Sequence, residues 1–218
     1  MSPPTATLAS RSREAQRRDA ARRRSAARRR AAVAILGVVL LVVAVVLALP
    51  LFRKAVTELT LPLQHEDIIR QQAAEKHLDP ALIAAVIYAE SKFDPRPSPA
   101  GAQGLMQILP ATAYFIARLS GGTSFTASDL ATPGINVAYG SYYLRYLLDH
   151  FGGNEMLAVA AYNGGVSNVD SWVARAEADG RTLTLGAIPF GETRAYVQRV
   201  LRAQRDYRAA YAHELGLA

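Results

Sequence analysis

Hydrophobic residues are distributed along the chain in two different patterns, and the first is a single apolar run. Residues 31–49, AAVAILGVVLLVVAVVLAL, contain no charged side chain. As a helix, these 19 residues would rise about 29 Å, close to the ~30 Å hydrocarbon core of a bilayer. Pro50 ends the run, and no clear small-x-small cleavage site follows it. A transmembrane anchor is therefore favoured over a cleaved signal peptide, whose apolar part is shorter.

Beyond residue 63, apolar residues recur at helical spacing between loops rich in Gly and Pro. The Asp79-Pro80 pair predicts a helix start, because Asp caps the first turn and Pro fits the first helical position. We predict helices over 66–76, from Pro80 past Glu90, from Pro110 or Ala111 through Leu119, and over 135–151, 156–163, 166–178 and 192–215. Residues 179–191, DGRTLTLGAIPFG, are predicted to be irregular or a short hairpin. The pattern predicts an all-α domain over residues 64–218, preceded by a linker over 50–63.

Positive charge is concentrated at the N-terminus. Residues 1–30 contain ten Arg, one Glu and one Asp, a net charge of +8, whereas the remaining 188 residues carry a net charge of −1. A nucleic-acid-binding domain would carry its basic surface on the fold, so we expect no nucleic-acid partner. Because basic residues stay on the cytoplasmic side, the tail is predicted to lie in the cytoplasm. Its low-complexity composition of Ala, Arg and Ser predicts that it is disordered. The later domain would then lie outside the inner or plasma membrane of a single-pass protein.

Cysteine and histidine usage limits the metal chemistry. The chain has no Cys and four His, at positions 65, 77, 150 and 213, and none of these His belongs to an HExxH pair. Disulfides and thiolate metal sites are therefore excluded. We predict neither a metal nor an organic cofactor.

One carboxylate lies at the end of an apolar stretch, DPALIAAVIYAESKFDP. Glu90 follows Val86 by four residues and Ile87 by three, so the three side chains share one helix face. Burial disfavours the charged form of a carboxyl group and raises its pKa, as a general acid working near neutral pH requires. The alternatives are an acid at the solvent-exposed end of its helix and an acid buried in an ion pair.

Four short motifs follow one another along the chain. They are ES at Glu90, GLMQ starting 14 residues later at Gly104, AYN ending at Asn163, and PxxET starting at Pro189. Each is weak alone, but their order on a helical background resembles the bacterial lytic transglycosylases of the soluble type (SLT). The resemblance covers roughly residues 61–207. It implies the all-α, lysozyme-like fold that this family shares with goose-type lysozyme.

The resemblance also implies a reaction. The family cleaves the β-1,4 bond between N-acetylmuramic acid and N-acetylglucosamine in peptidoglycan, without water, and leaves a 1,6-anhydromuramic end. Glu90 matches its single catalytic acid and base, and no second carboxylate has an obvious claim to be a nucleophile. The implied partners are peptidoglycan glycan strands, with cell-wall synthesis or division proteins as further candidates and the membrane reached through the N-terminal helix.

The resemblance assigns substrate-binding roles to three residues around the GLMQ motif. Ser91 follows the acid and would orient it by hydrogen bonding. Ser98, in SPAGA, matches a serine near the muramic acid site, with a turn serine as the alternative reading. Gln107 would hydrogen-bond an N-acetyl group of the sugar, and its alternative is an amide that satisfies the loop backbone.

Three further residues complete the predicted binding set. Tyr162 would position the acid or the N-acetyl group, and Asn163 would hold backbone or sugar. The family usually has Ala where this chain has Gly165, which affects only the stiffness of the local loop. Glu192 matches a glutamate of the substrate cleft, and its alternative is a charge favoured by the dipole at a helix N-terminus.

Two other functions remain open at this point. A hydrolytic lysozyme on the same fold would also need one Glu, although the GLMQ and AYN pattern favours the transglycosylase. A catalytically inactive glycan-binding or scaffolding domain is the third reading, and the intact ES pair argues against it.

Overall fold

The computed structural model describes residues 37, 40–49, 52, 56–121 and 125–217. The chain divides into two compact units, Met1–Val56 and Thr57–Ala218. Residues 40–49 of the first unit are helical. Within the described residues, no helix combines the length and the apolar character that crossing a membrane requires. The predicted tail over 1–30 lies outside the described residues, as does part of the predicted span over 31–49, so the anchor stays a prediction.

Every named element in the described part of the second unit is a helix, which confirms the all-α prediction. Its helices are α1 (Glu66–Lys76), α2 (Pro80–Ser91), α3 (Pro110–Ser120), α4 (Pro133–His150), α5 (Glu155–Gly164), α6 (Val166–Ala178) and α7 (Gly191–Ala210). Two 3-10 helices, Ala127–Ala131 and Leu185–Ala187, join them. The second lies in the segment predicted to be irregular, whereas the first was not predicted. It begins at a capping box in which Thr126 and Asp129 satisfy each other's backbone groups.

The end predicted for the last helix is wrong, because the helix is shorter than the sequence pattern indicates. It was placed over 192–215, but α7 ends at Ala210 and Tyr211 leaves the helical conformation with φ −132°. Leu215 is almost fully buried, and the backbone carbonyl of Glu214 accepts a hydrogen bond from Arg70 on α1. The chain therefore turns back onto α1 to bury Leu215, an arrangement that helical periodicity alone does not predict.

Helix α2 occupies the centre of this unit. Every residue from Ala81 to Ile87 is buried, so the helix is apolar on all sides, as expected of a core helix. Its start follows the prediction, because the Asp79 side chain accepts a hydrogen bond from the backbone N–H of Ala81. Helix α7 packs along it. The packing of α7 against α2 therefore fixes the C-terminal end of α2, where Glu90 lies.

Candidate active site

Glu90 is partly buried at the C-terminal end of α2, where the helix comes to the surface. Its Oε1 accepts a hydrogen bond of 2.7 Å from the hydroxyl of Tyr196 on α7. Burial raises the pKa of Glu90 from 4.5 to about 7, against the opposing effects of the Tyr196 hydrogen bond and the positive charge of Arg199. The carboxyl group is therefore protonated in a large fraction of molecules at neutral pH, as a general acid requires.

A loop over residues 103–108, the GLMQ loop, lies beside this acid. Its ends are joined by a pair of backbone hydrogen bonds between Gln103 and Ile108, both 3.0 Å long. Gly104 and Gln107 adopt positive φ angles of 76° and 47°, which close the turn. Gly104 suits this position because a Cβ there would lie 2.6 Å from the carbonyl oxygen of Leu130.

The side chain of Asn136, on α4, holds the GLMQ loop in place from beneath. Its amide oxygen accepts a 2.8 Å hydrogen bond from the backbone N–H of Met106. Its amide nitrogen donates to the carbonyl oxygens of Gln103 and Leu130 at 2.9 and 3.0 Å. Asn136 is fully buried. A single side chain therefore binds three backbone groups of the loop and its neighbour. The carbonyl of Gln103 has a second partner in the N–H of Ile108, whereas the N–H of Met106 and the carbonyl of Leu130 depend on Asn136.

Two predicted site residues join the acid's surroundings to this loop. The Ser91 hydroxyl donates to the backbone carbonyls of Leu105 at 2.8 Å and Ile87 at 3.2 Å, so its hydrogen bonds go to backbone and not to the Glu90 carboxylate. The Tyr162 hydroxyl donates to the carbonyl of Met106 at 2.9 Å. Burial and the charge of Glu90 raise the pKa of Tyr162, which keeps this hydroxyl neutral.

Gln107 and Ser98 shape the loops in front of the acid. The amide nitrogen of Gln107 donates to the carbonyls of Arg96 and Gly104, both at 2.8 Å. The hydroxyl of Ser98 accepts a 2.9 Å hydrogen bond from the backbone N–H of Ala102. Both contacts match the structural alternatives, a loop-satisfying amide and a turn serine. Their roles in sugar binding remain predictions.

Asn163 and Glu192 lie together at a second recess. With Phe190 and Thr193 they line a shallow cavity of about 280 Å³. The amide oxygen of Asn163 accepts a 2.8 Å hydrogen bond from the hydroxyl of Thr193. Glu192 is exposed in the first turn of α7, where the helix dipole favours a negative charge. This hydrogen bond therefore brings the AYN and PxxET motifs into contact, although Asn163 and Thr193 are 30 residues apart in the chain.

Sequence reasoning missed three residues of this site: Tyr196, Arg199 and Asn136. Tyr196 lies inside the stretch GETRAYVQRV, but nothing in its spacing indicates contact with an acid 106 positions earlier. The guanidinium of Arg199 lies 5.8 Å from the centre of the Tyr196 ring. The sequence gives one indication that Asn136 is buried: it is a polar residue among the apolar residues of α4. In the described part of the chain, no group of three or more His, Cys, Asp or Glu is placed to hold a metal ion.

Comparison with known proteins agrees with the helical fold. Residues 67–184 match the family described as transglycosylase SLT domain. The soluble lytic murein transglycosylase of Escherichia coli (strain K12) is 34% identical over 152 residues, which cover 67% of this chain and 23% of that protein. The chain thus spans about a quarter of the length of such relatives.

Solved structures give the same likeness. The 70 kDa soluble lytic transglycosylase of Escherichia coli superposes with a TM-score of 0.67 and 32% identity, covering 73% of this chain and 26% of that one. An inactive Glu-to-Gln mutant of lytic transglycosylase Slt from Pseudomonas aeruginosa gives a TM-score of 0.65 and 34% identity, covering 70% and 25%. From its helical fold, its ordered motifs and the match over more than half of its length, this chain belongs to the transglycosylase SLT domain family.

Proposed function

We propose that this protein is a peptidoglycan lytic transglycosylase that uses Glu90 as its only catalytic acid and base. It cleaves the β-1,4 bond between N-acetylmuramic acid and N-acetylglucosamine and leaves a 1,6-anhydromuramic end. The observation that carries the proposal is the partly buried Glu90, with its pKa raised to about 7 and one oxygen held by Tyr196. Membership of the SLT family supports the reaction class.

The reaction needs one proton carrier that works twice. Glu90 first donates its proton to the glycosidic oxygen, so that the bond to C1 of the muramic sugar breaks and N-acetylglucosamine leaves with a free 4-hydroxyl. The resulting carboxylate then removes the proton from the muramic 6-hydroxyl as that oxygen bonds to C1. Glu90 ends protonated, and no water is consumed. A pKa near 7 suits both steps, because the group must give and take a proton at the same pH.

The surroundings of Glu90 support a substrate-assisted route. Most glycosidases use two carboxylates, about 5–5.5 Å or 6.5–9.5 Å apart, but substrate-assisted families are exceptions. Among the described residues, the groups that shift the pKa of Glu90 are Tyr196 and Arg199, and neither is a carboxylate. The substrate's N-acetyl group and 6-hydroxyl would supply the nucleophiles that a second carboxylate or water supplies elsewhere.

The remaining predicted site residues would hold the sugars. Asn163 and Glu192 would bind substrate in the cavity that they share with Phe190. Tyr162 and Ser91 act mainly through the GLMQ loop, since their hydroxyls bind its backbone carbonyls. These contacts support a positioning role, in which the two hydroxyls fix the loop relative to the acid.

The test is a Glu90→Gln variant of the full chain, which keeps the shape of the side chain and removes its proton. We expect cleavage of purified peptidoglycan to fall by at least about a hundredfold, the usual contribution of a general acid. Glu177→Gln, at an exposed acid of α6, is the matched control and should retain activity. Full activity in Glu90→Gln, with its circular dichroism unchanged, would contradict the proposal.

The location of the protein is a separate proposal. The apolar run over residues 31–49 would anchor the chain in the inner or plasma membrane, with residues 1–30 in the cytoplasm and the SLT domain outside. The amino-acid pattern is the support. In cells, external protease should digest the SLT domain of the full chain only after the outer layers are opened, and alkaline carbonate should not extract the protein. Release by carbonate would contradict the anchor.

A further inference from the structure

The ring of Tyr196, whose hydroxyl binds the proposed catalytic acid, is itself in contact with a positive charge. The guanidinium carbon of Arg199 lies 5.8 Å from the centre of this ring. Arg199 follows Tyr196 by three residues on α7, so the two side chains share one face of the helix. A cation within about 6 Å of an aromatic ring is attracted by the negative charge on the face of the ring. The contact is therefore an attractive cation–π interaction.

Tyr196 connects this charge to the acid. Its side chain is only 2% exposed, and its hydroxyl donates a 2.7 Å hydrogen bond to Oε1 of Glu90. Burial and the negative charge of Glu90 raise the pKa of Tyr196, and the positive charge of Arg199 opposes them. A hydroxyl that a nearby cation polarises in this way is a stronger hydrogen-bond donor. A chain of contacts therefore leads from the exposed guanidinium through the buried ring to the carboxyl group.

No carboxylate of the described residues pairs with the Arg199 guanidinium. Arg199 is exposed, and within the described ranges it forms no ion pair. The other charged or titratable side chains that line its surroundings are Tyr88 of α2 and Arg202 and Asp206 of α7. Asp206 lies about two helical turns beyond Arg199. The charge of Arg199 is therefore free to act on Tyr196.

The charge next to Glu90 matters most after the first proton transfer. Burial raises the pKa of Glu90 to about 7, and the hydrogen bond from Tyr196 and the charge of Arg199 both oppose this rise. Tyr162 of α5 also faces the acid, but burial and the charge of Glu90 raise its pKa and keep it neutral. Among the described residues, α7 therefore supplies the groups that favour the carboxylate form of Glu90.

We propose that Arg199 is a positioning residue that acts through Tyr196: it holds the ring in place and strengthens the hydrogen bond from the hydroxyl to the Glu90 carboxylate. The inference rests on the proposed function, because that reaction leaves a negative charge on Glu90 until the proton of the muramic 6-hydroxyl arrives. Among the described contacts, Glu90 accepts its hydrogen bond from Tyr196 and not from Arg199. The effect of the arginine on the carboxylate therefore depends on the tyrosine between them.

The first experiment measures the pKa of Glu90 directly, by NMR titration of the full chain labelled with 13C-glutamate, with Glu90→Gln identifying its signal. Arg199→Gln should raise this pKa by about half a unit, as expected for the loss of one exposed charge. Arg199→Lys should restore most of the wild-type value, because it keeps a cation near the ring. Arg202→Gln is the matched control: Arg202 is an exposed arginine one turn further along α7, without a ring contact. An equal rise in Arg202→Gln and Arg199→Gln, or no rise in Arg199→Gln, overturns the proposal.

The second experiment tests the route through the tyrosine. Tyr196→Phe keeps the ring that Arg199 contacts but removes the hydroxyl. Adding Arg199→Gln to this variant should therefore raise the pKa of Glu90 by less than half as much as it does in the wild-type background. An undiminished rise would show that the arginine acts on Glu90 without the hydroxyl, and would contradict the proposal.

Activity separates this inference from the proposed function. In Arg199→Gln, the alkaline fall of kcat/KM on purified glycan strands should move by the same half unit toward higher pH as the NMR titration. A fall that stays at the wild-type pH while the NMR titration moves would contradict a role for Arg199 in the reaction. If the wild-type protein cleaves no glycan but the NMR shifts occur, the proposed function fails, whereas the effect of Arg199 on the Glu90 carboxylate stands.

Discussion

Replacing Tyr196 by Phe tests how the acid is controlled. The substitution removes one hydroxyl from a side chain that is only 2% exposed, and leaves its ring in place. The lost contact is the 2.7 Å hydrogen bond to Oε1 of Glu90. Because this bond is stronger to a carboxylate than to a neutral carboxyl group, it lowers the pKa of Glu90 in the native protein. Its removal should therefore raise that pKa.

The size of the effect follows from the chemistry of the contact. A hydrogen bond to a charged group contributes about 1.5–3 kcal/mol, and one pKa unit corresponds to about 1.4 kcal/mol. The neutral acid also accepts a hydrogen bond from Tyr196, so only part of this energy distinguishes the two protonation states. We expect the pKa of Glu90, about 7 in the native protein, to rise by about one unit in Tyr196→Phe.

The assay is the pH dependence of kcat/KM on purified glycan strands. The free enzyme must carry the proton, so activity falls as pH rises through the pKa of Glu90. In Tyr196→Phe this fall should move about one unit toward alkaline pH, while the rate at the optimum drops because the carboxyl group is less firmly held. A fall at the wild-type pH in Tyr196→Phe would refute the reasoning.

Tyr207→Phe is the control for this prediction. Tyr207 lies on the same helix, is fully buried, and donates to the carbonyl of Pro62 at 2.5 Å, with no contact to Glu90 among its hydrogen bonds. It shows how the loss of a buried hydroxyl on α7 that does not contact Glu90 affects the pH dependence of kcat/KM. The pH profile should stay in place even if the protein becomes less stable.

Three further predictions concern stability. The pKa of Glu90 is about 7 in the folded protein and 4.5 in the unfolded chain, so its neutral form stabilises the fold at acid pH and this stabilisation is lost as pH rises through 7. In urea titrations, Glu90→Gln should therefore equal wild type in stability at pH 4 and exceed it by up to about 3 kcal/mol at pH 9. A difference that stays constant with pH would contradict this. Asn136→Ala should cost about 3 kcal/mol or more of folding free energy, because the N–H of Met106 and the carbonyl of Leu130 lose their partner and the carbonyl of Gln103 loses one of two. Asn168→Ala, at an exposed residue with one bond to a carbonyl, should cost about 1 kcal/mol; equal losses would refute the loop-holding role. Gly104→Ala should lower Tm far more than Gly101→Ala: both have positive φ, but only at Gly104 would the new Cβ meet neighbouring atoms, and equal shifts in calorimetry would show that the loop adapts.

The helices were the most predictable part of the fold, because their ends carry local signals. The prediction for residues 66–76 matches α1, and the one for 166–178 matches α6. The start at Pro80 follows from the Asp79 cap, which is a contact between residues two positions apart. The end of α7 was wrong because it depends on Leu215 packing back onto the body of the domain, and no local signal marks that choice.

The candidate site was predictable only where a motif named the residue. Glu90 could be identified from its apolar neighbours and from the motifs that follow it. Its pKa is raised by burial and lowered in part by the hydrogen bond from Tyr196. Tyr196 comes 106 residues later in the chain, so only the packing of α7 against α2 reveals this contact. Asn136 was missed for the same reason, since it acts on a loop about 30 residues earlier. Periodicity places side chains on faces, but it does not say which faces meet.

The most direct test of the central claim is the mass of the sugar ends that the full chain produces from purified peptidoglycan. If Glu90 first donates a proton and then takes one from the substrate's own hydroxyl, the muramic ends will be lighter by one water than ordinary reducing ends. Glu90→Gln should yield neither kind of end. Ordinary reducing ends from the wild-type protein would mean that water attacks C1, and would contradict the account.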